Sequence, residues 1–435
     1  MKALLRSDAC LACSPSTPLS SPSSSSSTSS SWIHLRSLLI ITSSTPVRDR
    51  GGLRSPWTRM KRKHPLSFQQ WINLFSPDGK LQDKVKLLKR VRNGGIEPGI
   101  RAEVWPFLLG VYDLSSTEAE RNESRARRRE EYEKLRERCL RLLRGGSDDG
   151  HQELKKTAGG SHARYPSSEE ATPVTPACAV EDYAKWQRII RLDALRAEWV
   201  PSSGKGHHTA EAARGAAEAV GLKDYEDLEP CRVHHAARLV AVLEAYAIYD
   251  PEIGYCQGMG DLLSPIAAVV EDDSEAFWCF AGFMRRARHN FRLDEAGIRR
   301  QLGVVARIIR HRDAALFRHL ERHRAADCAF AYRMVVVLLR RELSFEQTLC
   351  LWEVLWADQA AVHAGVRQRR ASPPTEDLLL YAIAACVLQR RKLIIEEDGG
   401  AEEILRECNA LAGRLDVWRL LDEAHDLVLS LHGKI

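Results

Sequence analysis

Outside a few low-hydrophobicity inserts, the apolar residues from His64 to Leu431 recur three and four places apart, and no run alternates with the period of two that a half-buried strand shows between Asn-Gly or Asp-Gly turns. That pattern restricts the chain to helices packed on helices, so the expected fold class is all-α. With 435 residues, 44% of them hydrophobic and 28% charged, the chain has the material for a large buried core. Its longest nearly unbroken apolar stretch, Leu378 to Leu388, is far shorter than the ~20 residues of a spanning helix. An integral membrane protein is therefore not expected.

The net charge of +6 is concentrated at the front: residues 1–59 hold seven Lys and Arg against Asp8 and Asp49, which leaves the rest of the chain at +1. A nearly neutral body has no broad basic face for collecting phosphates, which argues against nucleic acid as a partner. The eleven cysteines are mostly single residues within apolar sequence, such as Cys279, Cys350 and Cys386, the usage of a reducing compartment. Residues 1–59 are a different material, dominated by Ser and Thr, with no Glu and a serine-rich run from Ser23 to Ser31. Such a segment buries too little apolar surface to fold, so it is read as a disordered leader. Its composition also fits an organelle import signal, or an upstream extension with Met60 as the working start. Fifty-nine such residues are too few for a further lipid-binding or regulatory domain.

Residues 60–93 read as a helical lead-in: Leu66, Trp71, Leu74 and Phe75 stop at Pro77-Asp78-Gly79, and Leu81, Val85 and Leu88 stop at Asn93-Gly94-Gly95. A helix from Arg101 to Leu109 follows Pro98-Gly99, and a charged one runs from Thr117 to Leu143. Gly145 to Val180, with its Gly-Gly pairs and Thr-Pro repeats, reads as a surface insertion. Pro201 to Asp224 and His363 to Thr375 are two further low-hydrophobicity inserts. Between them helical faces recur at Leu239, Val242, Leu243 and Tyr246, at Ile298 to Ile309, at Val335 to Leu339, at Leu349 to Trp356 and from Ala401 to Leu431.

Several catalytic signatures fail by position. A phosphate-binding loop would need Gly where Trp199 stands before Gly204-Lys205, and no Gly-x-Ser-x-Gly elbow occurs. His319 and His323 lie four apart, but Glu321 is one place too late for a zinc protease, and an exposed basic helix is the simpler reading. A metallohydrolase built on those two histidines would need a third ligand and a base that the sequence does not offer. Cys10 and Cys13 form a lone pair without a second.

Two segments remain. Ile190, Asp193 and Arg196 fall three apart near a helix end, close to one helical stripe, where the aspartate either steers the guanidinium or forms an ordinary solvated ion pair. Tyr249-Asp250-Pro251-Glu252-Ile253-Gly254-Tyr255-Cys256-Gln257-Gly258-Met259 is a turn between two apolar helices. It presents a Gln that either satisfies its own turn or offers its amide to a water or a phosphate oxygen.

Taken as a pair, Ile190-x-x-Asp193-x-x-Arg196 and Tyr255-x-Gln257-Gly258-Met259 resemble the signature of TBC-domain proteins, the GTPase-activating proteins of Rab GTPases. The segment from Gly94-Gly95-Ile96 through Arg101, Val104-Trp105 and Leu108-Leu109-Gly110 is similar to that domain's opening motif. Arg340-Arg341-Glu342 with Leu351-Trp352-Glu353 and Trp356-Ala357 is similar to its closing one. The resemblance implies a V-shaped, two-lobed, all-helical domain over residues 94–360, with residues 361–435 completing the second lobe. It also implies an arginine finger at Arg196 and a glutamine finger at Gln257, both supplied to a GTP-bound Rab, so the chain would be an activator and not an enzyme in its own right. In supporting roles, Asp193 would orient Arg196, Ile190 would share its motif, Tyr255 would pack beneath the loop and Gly258 would let the Rab backbone approach.

GTP and Mg²⁺ would belong to the partner, leaving the chain no cofactor of its own. Its expected place is the cytoplasm, peripheral to endomembranes through the Rab, in vesicle trafficking. A catalytically inert Rab-binding scaffold of the same fold is the competing reading, against which the retained finger pair argues. Neither the particular Rab nor the oligomeric state is legible in the sequence.

Overall fold

The structure, a computed structural model, describes residues 64–145, 176–197, 209–366, 373–396, 400–431 and 434–435. The Ser-rich leader and the middle of the insertion at 145–180 lie outside the described residues, as does the Gly204-Lys205 pair. Among the described residues there is no β-strand, only isolated bridges such as Leu66 with Ile96, and the all-α expectation holds. No described helix is long and apolar enough to cross a membrane.

Short helix α1 (Phe68–Ile72) and α2 (Lys84–Gly94) lead into α3 (Arg101–Leu108). Gly95 closes α2 at a φ of 73°, donating its N–H to the Val91 carbonyl, in keeping with the helix stop read at that glycine pair. The charged helix α4 (Glu118–Gly145) precedes α5 (Pro176–Arg196), whose last turn carries Arg196. Next come α6 (Ala210–Ala219) and α7 (Pro230–Tyr249). Helix α6 corrects the reading of Pro201 to Asp224 as a plain insert. Thr209 caps it, and Ala213 and Ala217 are buried where it packs on α7. Its mean hydropathy is low because alanine, small enough for close helix approach, supplies the buried face.

Helix α7 is the hub of this half. From Leu239 to Ala247 every residue is buried, with α4, α5, α6, α8 (Met259–Val269) and α9 (Asp273–Ala287) packed around it. A helix enclosed on all sides needs no polar face, and the periodic stripe expected there dissolves into a continuous apolar run. Arg238 projects from α7 to close α8, donating to the carbonyls of Ala267, Val270 and Glu271 at 2.7, 2.8 and 2.8 Å while pairing with Asp273.

The second half comprises α10 (Ala296–Arg312), α11 (Ala314–Arg322), α12 (Tyr332–Val336), α13 (Phe345–His363), α14 (Leu378–Gln389), α15 (Arg391–Glu396), α16 (Ala401–Asn409) and α17 (Val417–Leu431). Here α14, buried from Leu378 through Val387, packs against α10, α13 and α17. Three expectations are corrected in this half. The helix expected over Val335 to Leu339 stops at Val336, and Leu338 and Leu339 take positive φ values of 48° and 58°. Such conformations cost about 1–2 kcal/mol per residue; they are held by the Trp352 indole, which donates to the Leu338 carbonyl at 3.0 Å, and by near-complete burial of Leu339. The segment from Ala401 to Leu431 is two helices, broken at Gly413 with φ 72°. His319 is not on an exposed face; it is 1% exposed, with its ring 4.4 Å from that of His323.

A carboxylate with no solvent exposure joins the opening and closing motifs. Glu353 on α13 accepts from the Ile96 N–H at 3.0 Å, Arg101 Nε at 2.8 Å and the Trp105 indole at 3.2 Å. Arg101 also reaches Glu346 at 2.7 Å. Burial pushes the Glu353 carboxyl up to about 7, opposed by Arg101 and the three donors. Glu353→Ala should lower unfolding stability by about 3–5 kcal/mol, because it strands a buried guanidinium and two N–H groups. Urea unfolding would show this, with Glu353→Gln losing less.

His235 on α7 lies 3.0 Å from the Ser264 hydroxyl of α8 and is 6% exposed. Burial, helped by Arg238 and His234, pushes its pKa down from 6.5 to about 3. The folded state therefore resists a proton that the unfolded chain accepts. Stability is full above pH 6.5 and falls by about 1.4 kcal/mol per pH unit below it until the folded pKa is reached. Replacing His235 with Gln should flatten that slope in unfolding curves measured between pH 7 and pH 4.

Candidate functional site

Arg196 stands at the C-terminal end of α5, where a cation is favoured by the helix dipole. Three contacts aim this helix. The fully buried Glu244 of α7 accepts from Gln187 at 3.3 Å, with Arg191 at 3.5 Å and, from α4, Arg136 at 3.3 Å. Arg191 also donates to the Val220 carbonyl beyond α6, at 3.1 Å. Arg232, in the first turn of α7, donates to the Leu195 carbonyl at 3.0 Å and so secures the turn that carries Arg196.

Gln257 lies in the loop between α7 and α8, shaped by two glycines with positive φ. Gly254, at φ 60°, lies against the Trp186 indole of α5 so closely that an added Cβ would sit 2.1 Å from it. Gly258, at φ 102°, is the residue that starts α8, and it is buried against Val336 and Val337. Within this chain its glycine requirement comes from that backbone angle and from internal packing.

The two segments meet through Tyr255, 5% exposed, which donates its hydroxyl to Asp193 Oδ2 at 2.8 Å. Burial pushes the Tyr255 phenol well up, with Asp193 adding to the effect. Burial likewise raises the Asp193 carboxyl; its hydrogen bond from Tyr255, Arg196 and Arg341 oppose this, while Asp261 adds to it. Arg341, from the closing motif, pairs with Asp261 in the first turn of α8 at 2.9 Å.

The sequence placed Ile190, Asp193 and Arg196 close to one stripe. In the structure Ile190 is fully buried, Asp193 half-buried and Arg196 exposed. Each step of three residues lags a full turn by about 60°, so the trio fans from core to surface. Nor does Asp193 hold Arg196 in an ion pair: its near oxygen is taken by Tyr255, and its influence on Arg196 is through charge alone. Among the described residues, neither the Arg196 guanidinium nor the half-buried Gln257 amide has a hydrogen-bond partner. Both polar heads are therefore uncommitted, at the ends of segments tied to each other underneath by Tyr255.

Sequence reasoning missed Trp186, Glu244, Arg232 and the Asp261–Arg341 pair as positioning residues. Glu244 did carry a signal, being a lone acid within the apolar run of α7. Arg341 was quoted only as part of a motif. On the helix that carries Arg196, Ile189 and Leu192 are 40% and 44% exposed. Ile189 and Leu192 lie seven and four residues before Arg196, so they line the helix face leading to it.

Comparison with known proteins gives four matches. The Rab-GTPase-TBC domain matches residues 232–372, which include Gln257 and the closing motif but not Arg196. Rab GTPase-activating protein 22 of Arabidopsis thaliana is 50% identical, over 93% of this chain and 88% of that protein. The GTPase-activating protein gyp7 of Schizosaccharomyces pombe is 30% identical over 69% of this chain, a match that spans 35% of the longer fungal protein. Among solved structures, the Ypt/Rab-GAP domain of Gyp1p superposes with a TM-score of 0.55 at 17% identity, covering 83% of this chain and 97% of that one, a likeness of fold.

Gly254→Ala tests the tie between α5 and the glutamine loop. The added methyl meets both an unfavourable φ and the Trp186 ring, so α5 and the loop must separate. A loss of about 1–3 kcal/mol is expected, together with increased hydrogen exchange in both segments and little change in α14.

Proposed function

This chain belongs to the TBC-domain family of Rab GTPase-activating proteins, and on that premise we propose that it accelerates GTP hydrolysis on a GTP-bound Rab by supplying Arg196 and Gln257 in trans. The observation that carries this reading is the pair of uncommitted polar heads, one cationic and one amide, joined beneath by the 2.8 Å Tyr255–Asp193 hydrogen bond.

Phosphoryl transfer to water asks little covalent help of a protein. It requires negative charge on the phosphate oxygens to be neutralised and an attacking water to be held in line. A permanently charged, forked guanidinium suits the first task. An amide that both donates and accepts, and cannot take a proton away, suits the second. In this reading Asp193 and Tyr255 are positioning residues that fix the two segments relative to each other. Nucleotide and Mg²⁺ belong to the Rab, and this chain contributes side chains only.

Ile189 and Leu192 would then lie against the Rab surface bordering its nucleotide, because Arg196 reaches the phosphates from the same helix. Association with a membrane would come through the lipid-anchored partner, and the process served would be vesicle traffic in the cytoplasm.

Phosphate release from a panel of GTP-loaded Rabs is the test. Arg196→Ala should lower the accelerated rate on the order of 10³-fold or more. Its melting temperature should stay within error of the wild type, because the side chain is exposed and makes no hydrogen bond among the described residues. Gln257→Ala should also lower kcat, and Leu192→Asp should raise KM with kcat retained. A wild-type protein that binds GTP-loaded Rabs but accelerates none of them would instead be an inert scaffold.

A further inference from the structure

Away from the Arg196 and Gln257 segments, the end of α9, the start of α14 and the middle of α13 and α10 enclose a cavity of about 340 Å³. Its wall contains three buried polar atoms with no partner among the described residues, the donors of Trp356 and Arg286 and the acceptor Gln359 Oε1. Trp356 is 1% exposed, and neither its indole N–H nor Arg286 Nη1 has a hydrogen-bond partner among the described residues. An unmade bond of this kind costs about 1–3 kcal/mol per group, so two donors and one acceptor left open in one cavity indicate an absent group that accepts from Trp356 and Arg286 and donates to Gln359, as a protonated phosphate oxygen can. Trp356 belongs to the closing motif, and nothing in the proposed activity uses its N–H.

The electrostatics have the same sign. Arg286 spends Nη2 on the Leu108 carbonyl at 2.6 Å, and neighbouring Arg285 spends its own on the carbonyls of Leu109 and Gly110. Burial, with Arg285 adding to it, pushes Arg286 down to about 10, and Glu376 is the acid that opposes this. Arg300 adds a second guanidinium to the lining together with the His289 and His363 rings, and burial, with Arg300 adding to it, pushes His289 down and keeps it neutral. Of the two acids there, Glu376 lies 4.0 Å from His363, and Asp377, at the start of α14, gives that helix no side-chain cap. Water could satisfy one donor but not the unneutralised guanidinium. A tetrahedral oxyanion supplies several acceptors and the charge together.

We propose that this cavity binds a phosphate group, presented by a soluble phosphate ester or by a lipid headgroup, with Arg286 and Trp356 as its inner donors and Arg300 at its mouth. The site is separate from the GTPase-activating residues, and its test does not use Rab.

The full chain is titrated with inorganic phosphate against chloride at matched ionic strength, following melting temperature and heat of binding, for the wild type and for Arg286→Gln, Trp356→Phe and Arg300→Gln. Phosphate should stabilise the wild type, and its apparent Kd should weaken about tenfold in Arg286→Gln and Trp356→Phe and less in Arg300→Gln. Should Arg286→Gln unfold through loss of its bond to Leu108, Trp356→Phe decides, since it removes the N–H and keeps an aromatic ring. An equal response in all four proteins means an adventitious ion only and overturns the proposal, as does no response in any. Sedimentation with phosphatidylcholine vesicles, with and without phosphatidic acid, then separates the sources. Binding to the acidic vesicles that Trp356→Phe loses identifies a headgroup, and phosphate binding without vesicle binding identifies a soluble ester.

Discussion

Helices from distant parts of the chain are held in register by carboxylates taken entirely out of water and met there by arginine. Glu353, with no exposure, gathers donors from Ile96, Arg101 and Trp105, some 250 residues earlier. Asp358, two residues beyond Trp356 on the same helix, pairs with Arg92 and accepts from the Thr375 N–H at 3.2 Å; burial pushes its carboxyl up to about 6. Glu342 holds Arg333 at 2.6 Å, and Glu244 holds Arg136, Arg191 and Gln187. Removing a charge from water costs several kcal/mol, returned only when geometry is good. Such pairs add little net stability, yet any other arrangement of the helices leaves the charges bare. They select one packing among the many that an all-helical apolar pattern allows.

The candidate site depends on that selection. Glu244 sets α5 against α7, Gly254 admits the Trp186 ring, and Tyr255 reaches Asp193 because those two steps bring the segments together. Arg341, carried by the turn that contains the positive-φ residues Leu338 and Leu339, closes the assembly on Asp261. Glu244, Tyr255, Asp193 and Asp261 below the surface are paired, and the two polar heads above them are not. The contrast suits a protein whose side chains are to act on another molecule, since a committed guanidinium or amide would first have to be released.

Much of the fold was legible because helix periodicity and its punctuation are local. Gly95 and Pro98 mark helix ends where they stand, and the spacing of Ile298, Leu302, Val305 and Ile309 identifies α10 directly. The misreadings have physical causes. Helix α6 escaped notice because alanine buries a face with little hydropathy. The stop after Val336 escaped because the left-handed turn is made by leucines and held by Trp352, sixteen residues from that helix end. For the candidate site, the residue types at 196 and 257 could be read from their motifs, whereas the partner of Asp193 could not. Whether it takes Arg196 or Tyr255 depends on how closely α8 approaches α5, which is a matter of packing.

The sequence by itself determined that this chain is helical, where most helices begin and end, and that an arginine and a glutamine stand in motifs of a GTPase-activating family. These are properties of short stretches, and short-range sterics and hydrogen bonding decide them. Only the tertiary structure decided that α7 and α14 are enclosed on all sides, that Ile190 points inward while Arg196 points out, and that Trp356 and Arg286 face a common cavity. Each of these depends on which remote helices meet, and two of the buried carboxylate and arginine pairs that choose those meetings, Arg101 with Glu353 and Arg92 with Asp358, join residues more than 250 positions apart.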